Sequence, residues 1–223
     1  MCGRFAFYSP TEAVARLFNV AVTVPIEPRY NIAPTQYVAA VVHGDAGREL
    51  VMLRWGLVPF WAKDPAIGNR MINARAETVA EKPAYRDAYR KRRCLVLADG
   101  FYEWQRHDGA KTPWYISRSD GEAFAFAGLW ESWRDPASEQ SLRSTTIVTR
   151  PANAFMEQLH HRMPVLVRPD AASRWLAGDM DFLEHAGAGA PTMRAWPVAR
   201  TVNNARNEGR HLIDAAGSTL VEQ

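Results

Sequence analysis

The residues best equipped for chemistry stand at the start of the chain, in Met1-Cys2-Gly3-Arg4. Removal of Met1 would leave Cys2 with an α-amine and a thiol on neighbouring carbons. An α-amine titrates at about 7.7–8.0 and an unperturbed thiol at about 8.5, so both nucleophiles are expected to be available near neutral pH. Such a pair condenses with an aldehyde: the amine forms an imine, the thiol adds to the imine carbon, and a thiazolidine ring closes. The alternative for Cys2 is a small buried hydrophobe.

Other side chains offer proton transfer and charge. Glu103 lies among aromatic residues in Phe101-Tyr102-Glu103-Trp104-Gln105, where burial would raise its pKa into the range of a general acid or base. Strand alternation also allows it to face water with Tyr102 and Trp104 in the core. His160, in Leu159-His160-His161-Arg162-Met163-Pro164, follows a predicted helix and is either a proton shuttle or a helix cap. Asn73 can bond a sugar hydroxyl or carbonyl, or satisfy local backbone. Arg4, Arg75 and Arg162 neighbour Cys2, Asn73 and His160, so a fold that gathers those residues also gathers positive charge suited to phosphate. Solvated surface arginines are the other reading. Trp61, in Val58-Pro59-Phe60-Trp61, can stack on an unpaired base if its ring is exposed.

Composition narrows the field. The 223 residues are 47% hydrophobic and 23% charged with a formal charge of +3, which suits a globular core and permits an anionic partner. No apolar run approaches the roughly 18 residues of a membrane span, and no basic stretch precedes an apolar one at the start, so no membrane partner is expected and the location expected is the cytoplasm. The only cysteines, Cys2 and Cys94, are expected to be reduced. There is no C-x-x-C, and His160 and His161 would point apart on a strand or helix, so neither a metal nor another cofactor is expected.

The elements that must position these residues follow from periodicity. A helix is predicted from Thr11 to Asn19, with Ala13, Val14, Leu17 and Phe18 on one face. Arg29 to Thr35 reads as a proline-bracketed loop, and Tyr37–His43 and Glu49–Trp55 as a hairpin around Gly44 to Gly47. Pro59 to Asn69 is irregular, and Ile72 to Glu77 is a short polar-bearing segment. Further strands are predicted at Arg93–Ala98, Phe101–Gln105, Thr112–Arg118, Ala123–Trp133, Ser144–Arg150, Met163–Val167 and Met193–Val198, with a turn at His107-Asp108-Gly109. Helices are predicted at Pro83–Arg92, Ala152–Leu159, Pro169–Ala177 and Asp181–His185, and Gly187 to Pro191 as a flexible connection. This is an α+β pattern rich in strands, expected to form one domain over residues 1–223.

Six blocks, in order, carry a resemblance: Met1-Cys2-Gly3-Arg4-Phe5, Arg29-Tyr30-Asn31-Ile32-Ala33-Pro34, Arg54-Trp55-Gly56-Leu57-Val58-Pro59, Ile72-Asn73-Ala74-Arg75-Ala76-Glu77-Thr78, Ala98-Asp99-Gly100-Phe101-Tyr102-Glu103-Trp104 and His160-His161-Arg162-Met163-Pro164. Together they resemble the SRAP family, the SOS-response-associated peptidases. The resemblance implies a largely antiparallel, barrel-like β core flanked by helices. It also implies an abasic-site sensor in single-stranded DNA, acting as a monomer near the nucleoid when DNA is damaged. Cys2 would capture the sugar aldehyde as a stable crosslink, Glu103 would move protons during ring opening and crosslinking, and His160 and Asn73 would hold the deoxyribose oxygens. Arg4, Arg75 and Arg162 would contact phosphates, Asn31 would shape the pocket, and Trp61 would wedge against bases. Ala62 and Pro83-Ala84-Tyr85 depart from some members, which bears on the wedge. Once an imine formed, the same amine could promote β-elimination of the 3′ phosphate, a lyase side reaction, and the family's peptidase name implies a proteolytic role, most simply the removal of Met1. Two other classes compete: an amidohydrolase with an N-terminal cysteine nucleophile, and a non-covalent single-strand binder.

Overall fold

Continuous and alternating apolar strands dominate the chain and assemble into two sheets that meet over a shared aromatic core. The computed structural model describes residues 2–21, 26–45, 47–107, 109–186 and 190–222. The expected removal of Met1, the turns predicted at Ala46 and Asp108, and most of the Gly187–Pro191 connection lie outside the described residues. In chain order the strands are β1 (Phe5–Phe7), β2 (Arg29–Ile32), β3 (Tyr37–Gly44), β4 (Gly47–Trp55), β5 (Asn73–Arg75), β6 (Arg93–Ala98), β7 (Gly100–His107), β8 (Ala110–Arg118), β9 (Phe124–Arg134), β10 (Ser141–Pro151), β11 (Arg162–Pro164), β12 (Leu166–Val167), β13 (Met193–Pro197) and β14 (Leu220–Val221). The α-helices are short: α1 (Thr11–Phe18), α2 (Arg86–Lys91), α3 (Ala154–Glu157) and α4 (Ala172–Leu176).

The first sheet runs β14-β13-β8-β7-β1-β2 and is antiparallel throughout. In the second, β4, β3, β6, β9 and β10 close on themselves, with only the β10–β4 step parallel. The barrel-like, largely antiparallel core is therefore present. A ring of so few strands is narrow, and its register sets large residues against small ones: Leu95 opposite Ala127, Leu97 opposite Ala125, Cys94 opposite Gly128. A Cβ on Gly128 would stand 2.7 Å from Cys94 Sγ. Only glycine permits that approach.

The two sheets meet through aromatic edges. Phe5 of β1 packs edge-on against Trp55 at 5.1 Å and Phe126 at 5.6 Å, while Phe126 also meets Phe101 at 5.9 Å and Phe124 at 5.4 Å. Phe5 and Phe101 thus turn one face of the first sheet toward the barrel. Its other face, with Ala6, Tyr102 and Tyr115, is covered by Val198, Val202 and Leu212 from the C-terminal region. Beside β6, Trp175 of α4 donates its indole N–H to Cys94 C=O at 2.8 Å, and the Arg93 guanidinium lies between the Tyr89 and Trp175 rings at 4.2 and 4.5 Å.

The predicted helix at Thr11, the hairpin and the central strands are in place. Other elements differ. Arg29 to Ile32 is a strand, because its backbone pairs with β1, Phe5 opposite Ile32 and Phe7 opposite Arg29. The helices expected at 83–92 and 152–159 contract to α2 and α3. The one expected at Pro169–Ala177 opens as a 3₁₀ turn before α4, and Met180–Leu183 is a 3₁₀ turn only. Segments this short gain too few hydrogen bonds to offset helix nucleation. The expected strand at Met163–Val167 breaks at Val165, whose N–H bonds to Val148 and whose C=O accepts from Ala127, both at 2.9 Å, as the chain crosses from β10 to β9. Among the described residues no helix is long and apolar enough to cross a membrane.

Because Phe126 touches both sheets, Phe126→Ala should cost about 3–5 kcal/mol of stability. Chemical denaturation measures this, and a midpoint equal to that of the parent chain would remove Phe126 from its place at the junction.

Candidate active site

Cys2 precedes β1 and is completely buried, with a free thiol. Pairing with β7 fixes its position. Phe5 lies opposite Phe101, and Tyr102 N–H donates to Arg4 C=O at 2.9 Å, which carries the register past the end of β1. The next residue on β7 is Glu103, on the same face as Phe101 and only 3% exposed. The water-facing alternative for Glu103 is thereby excluded.

Asn73 opens β5, which runs parallel to β10 with Asn73 opposite Ile147. Its Nδ2 donates to Cys2 C=O at 2.9 Å. Its Oδ1 is buried and finds no hydrogen-bond partner among the described residues, which ordinarily costs about 1–3 kcal/mol. An orphaned acceptor beside a buried thiol is a place for a hydroxyl or amine donor to bind. Behind it, Tyr85 donates its hydroxyl to Asn73 C=O at 3.3 Å, and burial pushes that hydroxyl up to about 12.

His160 sits between α3 and β11. Its loop is tied to β7 by Gln105, whose Nε2 donates to Gln158 C=O at 2.8 Å. The Arg162 N–H donates to His160 Nδ1 at 2.9 Å. The other tautomer would turn an Nδ1 proton toward Arg162 C=O, 3.2 Å away, and would deprive that N–H of this acceptor. The first arrangement is favoured, because a buried backbone donor is the costlier group to strand, and it leaves the proton on Nε2. The ring stacks on His161 at 4.3 Å and 25°, so the two histidines do not point apart as a strand or helix would require. They occupy a turn.

Burial governs the electrostatics of the cluster. It raises the Cys2 thiol well above its ordinary range, and the nearby Glu103 charge adds to the effect. Burial also raises Glu103 and lowers His160. The expectation of a thiol ionising near neutrality is therefore corrected, since desolvation disfavours the thiolate. Cys94 is equally buried, bonded to Thr145 Oγ1 at 3.3 Å and pushed up to about 12.

The residues expected to meet DNA are placed unevenly. Arg4 is half-buried and donates to Asn31 Oδ1 at 2.7 Å and Val202 C=O at 2.9 Å, with its guanidinium 5.9 Å from the Trp104 ring. Asn31 is fully buried and its Nδ2 reaches Asn204 C=O at 3.0 Å and Asn207 C=O at 2.8 Å, so it fastens the C-terminal loop to Arg4. Arg75 ends β5 and is exposed. Arg162 is buried and paired with Glu77. Trp61 is exposed, and so is Phe60 beside it. Ala62 explains the pair: it packs with Val58 and Trp133, and its C=O accepts from the Trp133 indole at 2.7 Å, lifting both rings outward. Phe60, Tyr85 and Glu77 were not singled out in the sequence. The apolar pair Phe60-Trp61 before a small residue was the available signal for the first, whereas nothing local marked the others. Among the described residues no group of His, Cys, Asp and Glu is placed to hold a metal ion.

Comparison with known proteins places this geometry. The chain is 39% identical over 224 residues to the abasic site processing protein YoqW of Bacillus subtilis, covering 96% of this chain and 100% of that protein. It is 30% identical over 225 residues to the abasic site processing protein YedK of Escherichia coli, covering 96% and 99%. The crystal structure of a Bacteroides thetaiotaomicron protein superposes with a TM-score of 0.84 at 23% identity, covering 96% of this chain and 100% of that one, which speaks for the fold. The family model for the SOS response associated peptidases (SRAP) matches residues 1–205, and the chain belongs to that family.

Proposed function

We propose that this chain processes abasic sites in single-stranded DNA, capturing the ring-opened sugar on Cys2 once Met1 has been removed. One observation carries the reading: a buried thiol, a buried carboxyl and an orphaned amide oxygen share the site at Cys2, Glu103 and Asn73. The relatives named for abasic site processing support the substrate. On this reading residues 1–223 act as one domain and as a monomer, in the cytoplasm. Removal of Met1 by the chain's own peptidase activity or by a methionine aminopeptidase gives the same product.

The chemistry follows from groups that burial shifts toward their neutral forms. An abasic deoxyribose rests mostly as a closed hemiacetal, so a base must take the C1 hydroxyl proton and an acid must return one to the ring oxygen. The Glu103 carboxylate does both in turn, and the His160 Nε2–H donates to the ring oxygen as charge develops there. Asn73 Oδ1 accepts from the hydroxyl released. The Cys2 ammonium passes a proton to the Glu103 carboxylate, the freed amine adds to the aldehyde, a proton shifts from nitrogen to oxygen to give the carbinolamine, and Glu103 then returns its proton to the departing hydroxyl, leaving water and an iminium. The thiol proton passes to the Glu103 carboxylate as sulfur bonds to the iminium carbon, and the ring closes. A thiol that stays protonated is no obstacle, because the base stands beside it. Closure competes with β-elimination of the 3′ phosphate, which is the origin of a lyase side reaction.

Arg75 is the exposed cation best placed to meet a phosphate, Arg4 borders the pocket that Asn31 shapes, and the rings of Phe60 and Trp61 offer stacking area to bases. Arg162 is taken up below.

Three outcomes test the proposal. Cys2→Ser should abolish the denaturant-resistant adduct with an abasic single-stranded oligonucleotide on electrophoresis; an equally durable adduct would rule out the thiazolidine. Glu103→Gln should slow crosslinking by about 10²–10⁴-fold at nearly unchanged DNA affinity. In the parent chain the rate should fall as pH drops through the raised Glu103 pKa, above the ordinary carboxylate range, and the Gln variant should lack that limb. Arg75→Ala should weaken binding alike across sequences and reduce the slope of log affinity against log salt by about 1; an unaltered slope would take Arg75 out of phosphate contact.

A further inference from the structure

We infer that Glu77 is a positioning residue for His160, acting through Arg162. The effect on rate rests on the abasic-site reading above, whereas the effect on the imidazole stands by itself.

The path is continuous in hydrogen bonds. Both Glu77 carboxylate oxygens accept from Arg162, Oε1 from Nη1 and Oε2 from Nη2, the latter at 3.0 Å. Arg162 Nη2 also donates to Thr149 C=O at 2.8 Å and Thr149 Oγ1 at 3.2 Å. The guanidinium is held from two sides, and its side chain is 10% exposed. The same residue's backbone N–H occupies His160 Nδ1 at 2.9 Å. Fixing the side chain of Arg162 fixes the N–H that selects the tautomer of His160. This is the role that a carboxylate or carbonyl plays for an oriented histidine elsewhere, with a backbone amide as the last link.

Thr149 joins this arrangement to Asn73. It lies opposite Arg75 on β5 and opposite Pro164 on β11, and its C=O also accepts from Ala76 N–H at 2.8 Å. The strand that delivers Asn73 and the turn that delivers His160 are therefore fastened to one residue of β10, with Glu77 closing the loop between them. The charged and titratable groups acting on the imidazole include the amino terminus, which lowers it, His161, stacked on it, and Arg162, whose own charge Glu77 offsets. The Glu77 carboxyl is held below its usual range by the Arg162 hydrogen bonds, so it is ionised at neutral pH.

A competing reading has Glu77 standing in for a DNA phosphate that displaces it from Arg162. The two readings give opposite results for the near-isosteric Glu77→Gln. The test is long-range ¹⁵N–¹H correlation on histidine-labelled full chain at pH 7, without DNA, alongside crosslinking rate and affinity for an abasic oligonucleotide. The parent should show His160 protonated on Nε2, and Glu77→Gln and Glu77→Ala should show averaged tautomers. Crosslinking should fall about tenfold with affinity unchanged, as losses of orienting partners do, and Glu77→Asp should recover part of it. Dispersed spectra establish that each variant is folded. Tautomers unchanged in every variant would overturn the inference, and so would Glu77→Gln binding DNA several-fold more tightly at an undiminished rate. If the parent itself formed no adduct, the abasic-site reading would fail while the imidazole result still decided the role of Glu77.

Discussion

The seating of the first residues between two sheets is the constraint on which the site depends. Short β1 is held on one edge by β7, on the other by β2, and beneath by the edge-on contacts of Phe5 with Trp55 and Phe126. An unsupported chain end frays, and a reactive end that frays cannot hold a near-attack geometry. Here Asn73 adds a bond to the carbonyl of Cys2, so the residue proposed to react is fastened on the site side as well. The barrel is in this sense a platform for the segment that holds Cys2.

Burial sets the protonation states that the chemistry uses. The same desolvation raises the thiol, raises Glu103 and lowers His160, so each moves toward its neutral form. Such a site does not depend on a standing thiolate, which would be open to oxidation. On the proposed reading Asn73 Oδ1, without a partner among the described residues, would gain one from the substrate, and binding would relieve that penalty.

Much of this was legible in the sequence where the signal is local. Continuous apolar runs such as Arg93–Ala98 and alternating ones such as Phe101–Gln105 lie in β6 and β7, because the pattern of burial is written residue by residue. The second strand, Arg29–Ile32, was hidden by flanking prolines that bound it without preventing its pairing with β1. The burial of Glu103 was undecided, since alternation tells which residues share a face but not which face is covered. The ionisation of Cys2 was misjudged for the same reason: a reference pKa describes a solvated group, and this one is enclosed by elements distant in sequence. The Glu77–Arg162 pair spans 85 positions, a separation at which spacing carries no message.

The placement of the arginines bears on how DNA is discriminated. With a net charge of only +3, the chain has little general attraction for a polyanion. Arg4 spends donors on Asn31 and a backbone carbonyl, and Arg162 is committed to Glu77 and Thr149, so cations near the site are partly consumed in shaping it. Phosphate contact, which carries no sequence or lesion information, is correspondingly thin. On the proposed reading, selectivity would rest on the covalent step, which only an aldehyde can complete. A weakly charged surface would then favour release of intact strands and retention of damaged ones, because tight nonspecific binding would hold both alike.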